Sequence, residues 1–326
     1  MMCVKKAELH VHLEGTISPA LAKRLAERHQ CVIPDTLIAV DGQSYQSRDF
    51  LHFLTVFDQL SSLIKTPQDY YDVTFDYLKQ CHVEQVIYCE MMYSPDHAER
   101  MSGIPSREHL DAIQHAIDDA EIAFGIVGRV LITLVRHFGV DAAVRVLDEA
   151  IAYRPRCVVG LAIGGDELGF PLPLFKAVFD KAHQEGFLCT AHVGEFGDAA
   201  TIQQAIEHFP LQRIGHGVQA IHSKDVMMML RDKNIAVELS PSSNVKFGLF
   251  PNLQAHPLPQ FLEQGLSISL NSDDPPFIPT TVGLEYQRIQ NTFHFDDATM
   301  CQITTMAIHA AFVDEATKAR LLACVE

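Results

Sequence analysis

The chain has 326 residues, 48% of them hydrophobic and 20% charged, the profile of a globular protein able to bury a large core. Its formal charge of −16 argues against nucleic acid as a partner, because phosphate binding needs clustered Lys and Arg. There is no apolar run long enough to predict a membrane span, and the start, Met-Met-Cys-Val-Lys-Lys, holds no signal-peptide core. The eight cysteines, at 3, 31, 81, 89, 157, 189, 301 and 324, form no Cys-x-x-Cys. That spread fits reduced thiols in the cytoplasm better than a disulfide framework or a thiolate metal site. No pattern in the chain fixes an oligomeric state.

The first element is a short strand within residues 7–15, Ala-Glu-Leu-His-Val-His-Leu-Glu-Gly. Strand geometry sends His10 and His12 to one face, where they either share a metal ion or stand as a solvated pair. Ser18-Pro19 then marks a helix start, with Ser as N-cap and Pro at the first helical position, over 20–28. Residues 31–80 read as mostly helical, with no clear strand. Phe50, Phe53, Leu54 and Phe57 recur there at spacings of three and four. Such a stripe serves either as core packing or as the inner face of a lid over a pocket.

From about residue 82 β-rich and helical runs alternate. Strands are predicted over 86–94, 128–136, 158–163, 187–194, 213–218, 236–241 and 267–273. Helices are predicted over 107–124, 140–153, 172–185, 199–208, 224–233 and 257–264, with Gly186 and Gly265 as C-caps. With the His10 strand this makes eight β-runs, the count of a closed (β/α)8 TIM barrel. An open doubly wound sheet would more naturally carry a G-x-G-x-x-G first turn, which is absent. The expectation is one barrel domain over 1–326, with a helical lid insertion at about 31–80 and extra helices over 297–326.

Catalytic groups of a barrel sit at the C-terminal ends of its strands. Strand 1 offers His10 and His12, and strand 5 ends Thr190-Ala-His-Val-Gly-Glu195. Strand 6 ends Gly215-His-Gly217 and strand 8 ends Asn271-Ser-Asp-Asp-Pro275. Singly, each has an ordinary reading: His192 and His216 as core histidines, Glu195 as a helix-start acid, Asp273-Asp274-Pro275 as a turn. Four strand ends supplying His or Asp to one rim point to a site. His10, His12, His192 and Asp273 form a ligand set for zinc or a similar divalent ion, which would draw the pKa of a bound water from about 15.7 towards 7. Glu195 lies close enough to move a proton, and His216 can orient the attacking oxygen. The residues alone predict a mononuclear metal hydrolase acting on a small molecule.

At this point the sequence resembles the adenosine/adenine deaminase branch of the metal-dependent amidohydrolases. The matching pieces are His10-Val-His-Leu-Glu-Gly15, Gly164-Gly-Asp-Glu-Leu-Gly-Phe-Pro171, His192-Val-Gly-Glu195, Arg213-Ile-Gly-His-Gly217, Ser240-Pro-Ser-Ser-Asn244 and Ser269-Leu-Asn-Ser-Asp-Asp-Pro275, in the family's order. The resemblance implies one Zn2+ per chain on His10, His12, His192 and Asp273. It implies that Glu195 protonates purine N1, that His216 assists the attacking water, and that Asp274 accepts a hydrogen bond from protonated N7. The backbone N–H of Gly165 would meet N3, with His12, Glu14, Phe53 and Phe57 beside the substrate. Two cues on substrate conflict. Adenosine deaminases carry Asp where this chain has Glu14, as adenine-specific relatives do, whereas 164–171 looks adenosine-type. The expectation drawn is hydrolysis of adenosine, and of 2′-deoxyadenosine, to inosine and ammonia. Adenine, giving hypoxanthine, or a modified nucleoside such as aminodeoxyfutalosine is the alternative. The Pro-Cys-x-x-Cys element of cytidine-deaminase zinc sites is absent.

Overall fold

A computed structural model describes residues 4–325, with side chains for all of these except Asp35, Phe50 and Leu51. Cys3, Glu326 and the Phe50 side chain of the aromatic stripe lie outside the described residues. The strands are β1 (Lys6–His12), β2 (Val86–Tyr93), β3 (Val127–Val135), β4 (Val158–Gly164), β5 (Leu188–Val193), β6 (Arg213–His216), β7 (Ala236–Leu239) and β8 (Ile268–Leu270). Each pairs in parallel with the next in chain order. Short runs rich in Val, Ile and Leu suit a sheet buried on both faces, and helices between them cover the outside. The barrel closes where Val11 bridges Asp273 in parallel, with His12 N donating to Asp273 O at 2.9 Å and Asp273 N to His10 O at 3.2 Å. This is the expected (β/α)8 barrel.

Helices α1 (Pro19–His29), α2 (Phe50–Ser61), α3 (Pro67–Val83) and α4 (Pro95–Ser102) follow β1 and β2. Ser18 caps α1 as expected, accepting from Leu21 N at 3.1 Å. Residues 31–80 hold two different things. The α3 helix packs on β2 and on the helix Ser106–Phe124 as an ordinary wall helix, whereas α2 lies across the mouth of the barrel. One antiparallel bridge, Ile38 to Tyr45, also falls in this stretch, which read as having no clear strand.

Several boundaries shift for identifiable reasons. The β6 strand stops at His216, where Gly217 turns left-handed at φ 58°, and beyond β8 Asn271 N still donates to Leu239 O of β7 at 2.9 Å before Ser272 and Asp273 bond across to β1. The run 172–185 splits into a 3-10 turn Leu172–Phe175 and a helix Lys176–Gln184. Three helices escaped the sequence reading, α4, Pro241–Lys246 and Val282–Phe293, although Ser94-Pro95 and Ser240-Pro241 repeat the start signal of α1 and Thr281 is an N-cap accepting from Leu284 N. At the C-terminal end, Asp297–Ala310 packs on β1 and β8, with Glu315–Leu322 beside it. The seven described cysteines are free thiols, four of them buried. Among the described residues no helix is long and apolar enough to cross a membrane.

Candidate active site

The β1 strand slips against β2 between Glu8 and Val11, a bulge that re-aims side chains where the strand reaches the rim. There His12 Nε2 stands 3.3 Å from His192 Nε2, at the end of β5, and 3.6 Å from Asp273 Oδ1. His10 Nε2 is 3.5 Å from the same oxygen. One donor atom from each of His10, His12, His192 and Asp273 lies within 4.8 Å of all the others. His10 Nε2 is buried without a hydrogen-bond partner of good geometry. Close imidazole nitrogens converging on a carboxylate are the donor set that a divalent cation satisfies. The four residues fit such an ion. Asp273 is held at φ 67°, and His216 at φ 59°, conformations that non-glycine residues seldom adopt and that cluster at functional sites.

Behind this set lies a buried charge chain. His10 Nδ1 meets Glu238 Oε2 at 2.8 Å, and Glu238 Oε1 accepts from Thr190 Oγ1 at 2.9 Å and from the Arg213 guanidinium. Arg213 also bonds Glu90, and all three charged side chains are fully buried. Burial alone would raise the Glu238 carboxyl, but Arg213 and His10 outweigh it and bring its pKa down to about 2. An ionised Glu238 fixes the His10 proton on Nδ1, so that Nε2 faces Asp273.

Glu195 and Asp274 have the opposite character. Burial, then Asp273 and Glu167, hold the Glu195 carboxyl well above its usual range. Burial and the adjacent Asp273 do the same for Asp274, whose Oδ1 has no hydrogen-bond partner. A Cβ on Gly15 would lie 1.9 Å from that oxygen, so only glycine leaves Asp274 its place. His216 Nε2 is 3.6 Å from Glu195 Oε2, and burial takes its pKa down to about 4. Its tautomer follows from its neighbours. Leu258 N donates to His256 Nδ1 at 3.3 Å, His256 Nε2 then donates to Asn244 Oδ1 at 3.1 Å, and Asn244 Nδ2 donates to His216 Nδ1 at 3.3 Å. The His216 proton therefore sits on Nε2, facing Glu195.

The cavity beside these groups measures about 210 Å³. His12, Glu14, Phe53, Phe57, Gly165, His192, Glu195, His216, Asp273 and Asp274 all line it, so every expected site residue except the buried His10 faces one space. Its carboxylates include Glu14, Asp58, Glu195, Asp273 and Asp274, and no Lys or Arg lines it among the described residues. Glu14 is buried, and Tyr70 Oη donates to its Oε1 at 2.9 Å. The α2 rings Phe53 and Phe57 pack on Phe277, just past Asp274, at 5.8 and 5.5 Å between centroids. Asp58 Oδ1, also on α2, meets His97 Nε2 of α4 at 2.9 Å. Gly165 sits at φ 96°, and a Cβ there would come within 2.9 Å of His137 Nδ1.

Glu238, Arg213, Asn244, His256, Tyr70 and the Asp58–His97 pair carry parts of this site that the sequence reading did not assign. A signal existed for the first two: a charged residue inside a predicted buried strand needs a charged partner. Asn244 ends the matching piece Ser240-Pro-Ser-Ser-Asn244 but was given no role, and for His256, Tyr70 and the Asp58–His97 pair no local pattern distinguishes them from ordinary residues.

The adenosine deaminase family profile matches residues 5–326. Adenine deaminase of Chelativorans sp. (strain BNC1) is 39% identical over 319 residues, covering 98% of this chain and 97% of that protein. Adenine deaminase of Rhizobium meliloti is 35% identical over 322 residues, covering 99% and 98%. Among solved structures, adenine deaminase from Arthrobacter aurescens superimposes with a TM-score of 0.91 at 27% identity, over 99% of this chain and 98% of that one. A zinc-bound amidohydrolase from Burkholderia ambifaria gives a TM-score of 0.89 at 27% identity, over 98% and 89%. Full-length agreement in sequence and fold, with a rim of three histidines and an aspartate, makes this chain a member of the adenosine deaminase family of hydrolytic deaminases.

Proposed function

We propose that the protein hydrolyses adenine to hypoxanthine and ammonia, with one zinc ion per chain held by His10, His12, His192 and Asp273. The observation that carries the substrate is Glu14. Its buried carboxylate, gripped by Tyr70, stands on the cavity wall and offers an acceptor to the N9–H that adenine has and adenosine lacks. The close relatives named adenine deaminase support the same reading. Of the segment 164–171, the cue that favoured adenosine, Gly164 and Gly165 line the cavity, whereas Glu167 does not and instead binds the loop after β5. A lining that holds five carboxyl side chains and, among the described residues, no Lys or Arg also disfavours a phosphorylated substrate.

Bound zinc supplies Lewis acidity that brings the ionisation of water towards neutral pH. The chain's own groups do the rest. Protonated Glu195 delivers its proton to purine N1, which makes C6 electrophilic enough for water to add. His216, a donor at Nε2, orients the incoming oxygen. Asp274 shares a hydrogen bond with N7; its raised pKa lets it donate to the free base and accept once N7 carries a proton. The Gly165 N–H meets N3. Phe53 and Phe57 wall the site, and α2, tied to α4 by Asp58–His97, acts as a lid within a single barrel domain.

The test is to follow the ultraviolet absorbance change of the zinc-loaded protein with adenine, adenosine and 2′-deoxyadenosine side by side. A site built to hydrogen-bond N9–H should favour adenine by about 10²-fold or more in kcat/KM. Faster turnover of either nucleoside overturns the assignment of Glu14.

A further inference from the structure

Glu167 belongs to the loop after β4 and is 6% exposed, yet it faces neither solvent nor the cavity. Its carboxylate accepts four consecutive backbone N–H groups of the loop after β5. Oε1 takes Gly194 at 2.6 Å, and Oε2 takes Glu195 at 3.2 Å, Phe196 at 2.9 Å and Gly197 at 3.1 Å. Successive N–H groups converge on one anion only where the backbone curls into a concave nest. Gly194, at φ 71°, makes that curl, and a Cβ on Gly197 would come within 2.6 Å of Glu167 Oε1. Arg136 secures the arrangement from below. Fully buried after β3, it donates to Phe170 O at 3.1 Å and to His192 O, tying the Glu167 loop to the end of β5.

The middle of this nest is the backbone of Glu195. We infer that Glu167 is a positioning residue for the deamination: by gripping the backbone on both sides of Glu195, it holds that carboxyl in line with the purine nitrogen it protonates. The inference rests on the reading of Glu195 as the proton carrier. Bonds to an ionised acceptor are roughly twice as strong as neutral ones, so four of them immobilise the loop where a neutral side chain would not. The negative charge of Glu167 also contributes, after burial and Asp273, to keeping Glu195 protonated.

A mutant cycle on the zinc-loaded protein tests this, using whichever 6-aminopurine the parent turns over. Glu167→Gln keeps the shape but removes the charge and replaces one acceptor with an amide NH2. It is expected to lower kcat by about 10²-fold, the scale of a 1 Å misplacement, with bound zinc and KM little changed. In a Glu195→Gln background the same change should cost less than about three-fold, because the group being positioned is gone. A merely structural Glu167 lowers kcat by the same factor in both backgrounds, and that additivity overturns the inference. So does a Glu167→Gln kcat within about two-fold of the parent. Glu167→Ala provides a second route, since formate can refill the space of the lost carboxylate. Formate-dependent recovery of kcat supports the positioning role, and a flat formate response overturns it. A parent protein inactive on every 6-aminopurine defeats the proposed function instead, so the two failures are told apart.

Discussion

Within one cavity, burial gives neighbouring acids opposite protonation states. Asp273 sits among imidazoles, which outweigh its burial and hold it well below the usual carboxylate range. Glu195 and Asp274 face Asp273 without a cation of their own, and burial drives both upward. The pair of environments separates ligand from proton carrier, as catalytic carboxylates generally require. In the proposed mechanism Glu195 works in its protonated form, so activity should persist above the 4.5 of an ordinary Glu and decline as pH rises through the elevated folded value. Glu195→Gln should retain zinc but lose about 10²–10⁴-fold in kcat, and the remaining activity should lack that alkaline decline. Metal analysis and kcat–pH profiles of parent and variant check this. A variant with parent-like turnover, or one that has lost its zinc, refutes the assignment.

The α2 helix, the proposed lid, depends on the elements at its ends. At its C-terminal side the chain turns into α3 through Thr66, whose capping box is completed by Asp69. The Asp69 carboxylate, fully buried, accepts from Lys65 N and Thr66 N at 2.9 Å each, and from Arg28 and His29 of α1 at 2.5 and 2.7 Å. One carboxylate thus joins α1, α3 and the connection from α2. Burial opposes its ionised form, but the Lys65 N–H and the bonds from Thr66, His29 and Arg28 prevail, and the folded pKa lies below 3.8. As pH falls the unfolded chain takes up this proton first, so the stabilisation is complete above 3.8 and is lost as pH drops through the folded value. Asp69→Asn should therefore cost about 2 kcal/mol at neutral pH. In urea titrations the gap to the parent should close towards the acid limit of folding. A gap that is the same at both pH values contradicts the linkage.

At the scale of the molecule, the barrel could be read from the sequence because apolar β-runs and amphipathic helices alternate plainly from β2 onward. The gathering of the rim residues could be read because a parallel barrel delivers all its strand ends to one face, which unites His10 with Asp273 from opposite ends of the chain. Groups whose meaning depends on a partner were not readable. Glu238 looks like any strand residue until His10 and Arg213 are beside it, and Glu14 conflicts with the 164–171 segment until Glu167 is seen bound elsewhere. The same distribution exposes a weak seam. Among the described residues the β1 and β8 strands share no regular ladder: the seam is held by the Val11–Asp273 bridge, the two backbone hydrogen bonds that flank it, and side-chain bonds from Leu9 N to Asn271 Oδ1 at 2.8 Å and from Ser272 N and Oγ to Glu8 Oε1. The proposed zinc ligands His10, His12 and Asp273 straddle that seam, with His192 beyond, so a bound ion would act as a staple across the closure. A ligand at 100 times its dissociation constant contributes about 2.7 kcal/mol to the state that binds it, equivalent to about 10²-fold in local opening. Chelating the metal should thus speed hydrogen exchange at the His12 and Asp273 amides by about that factor, while the β2–β3 ladder stays protected. Equal protection of the seam with and without metal would show that the chain's own hydrogen bonds close the barrel, leaving the ion a purely chemical part.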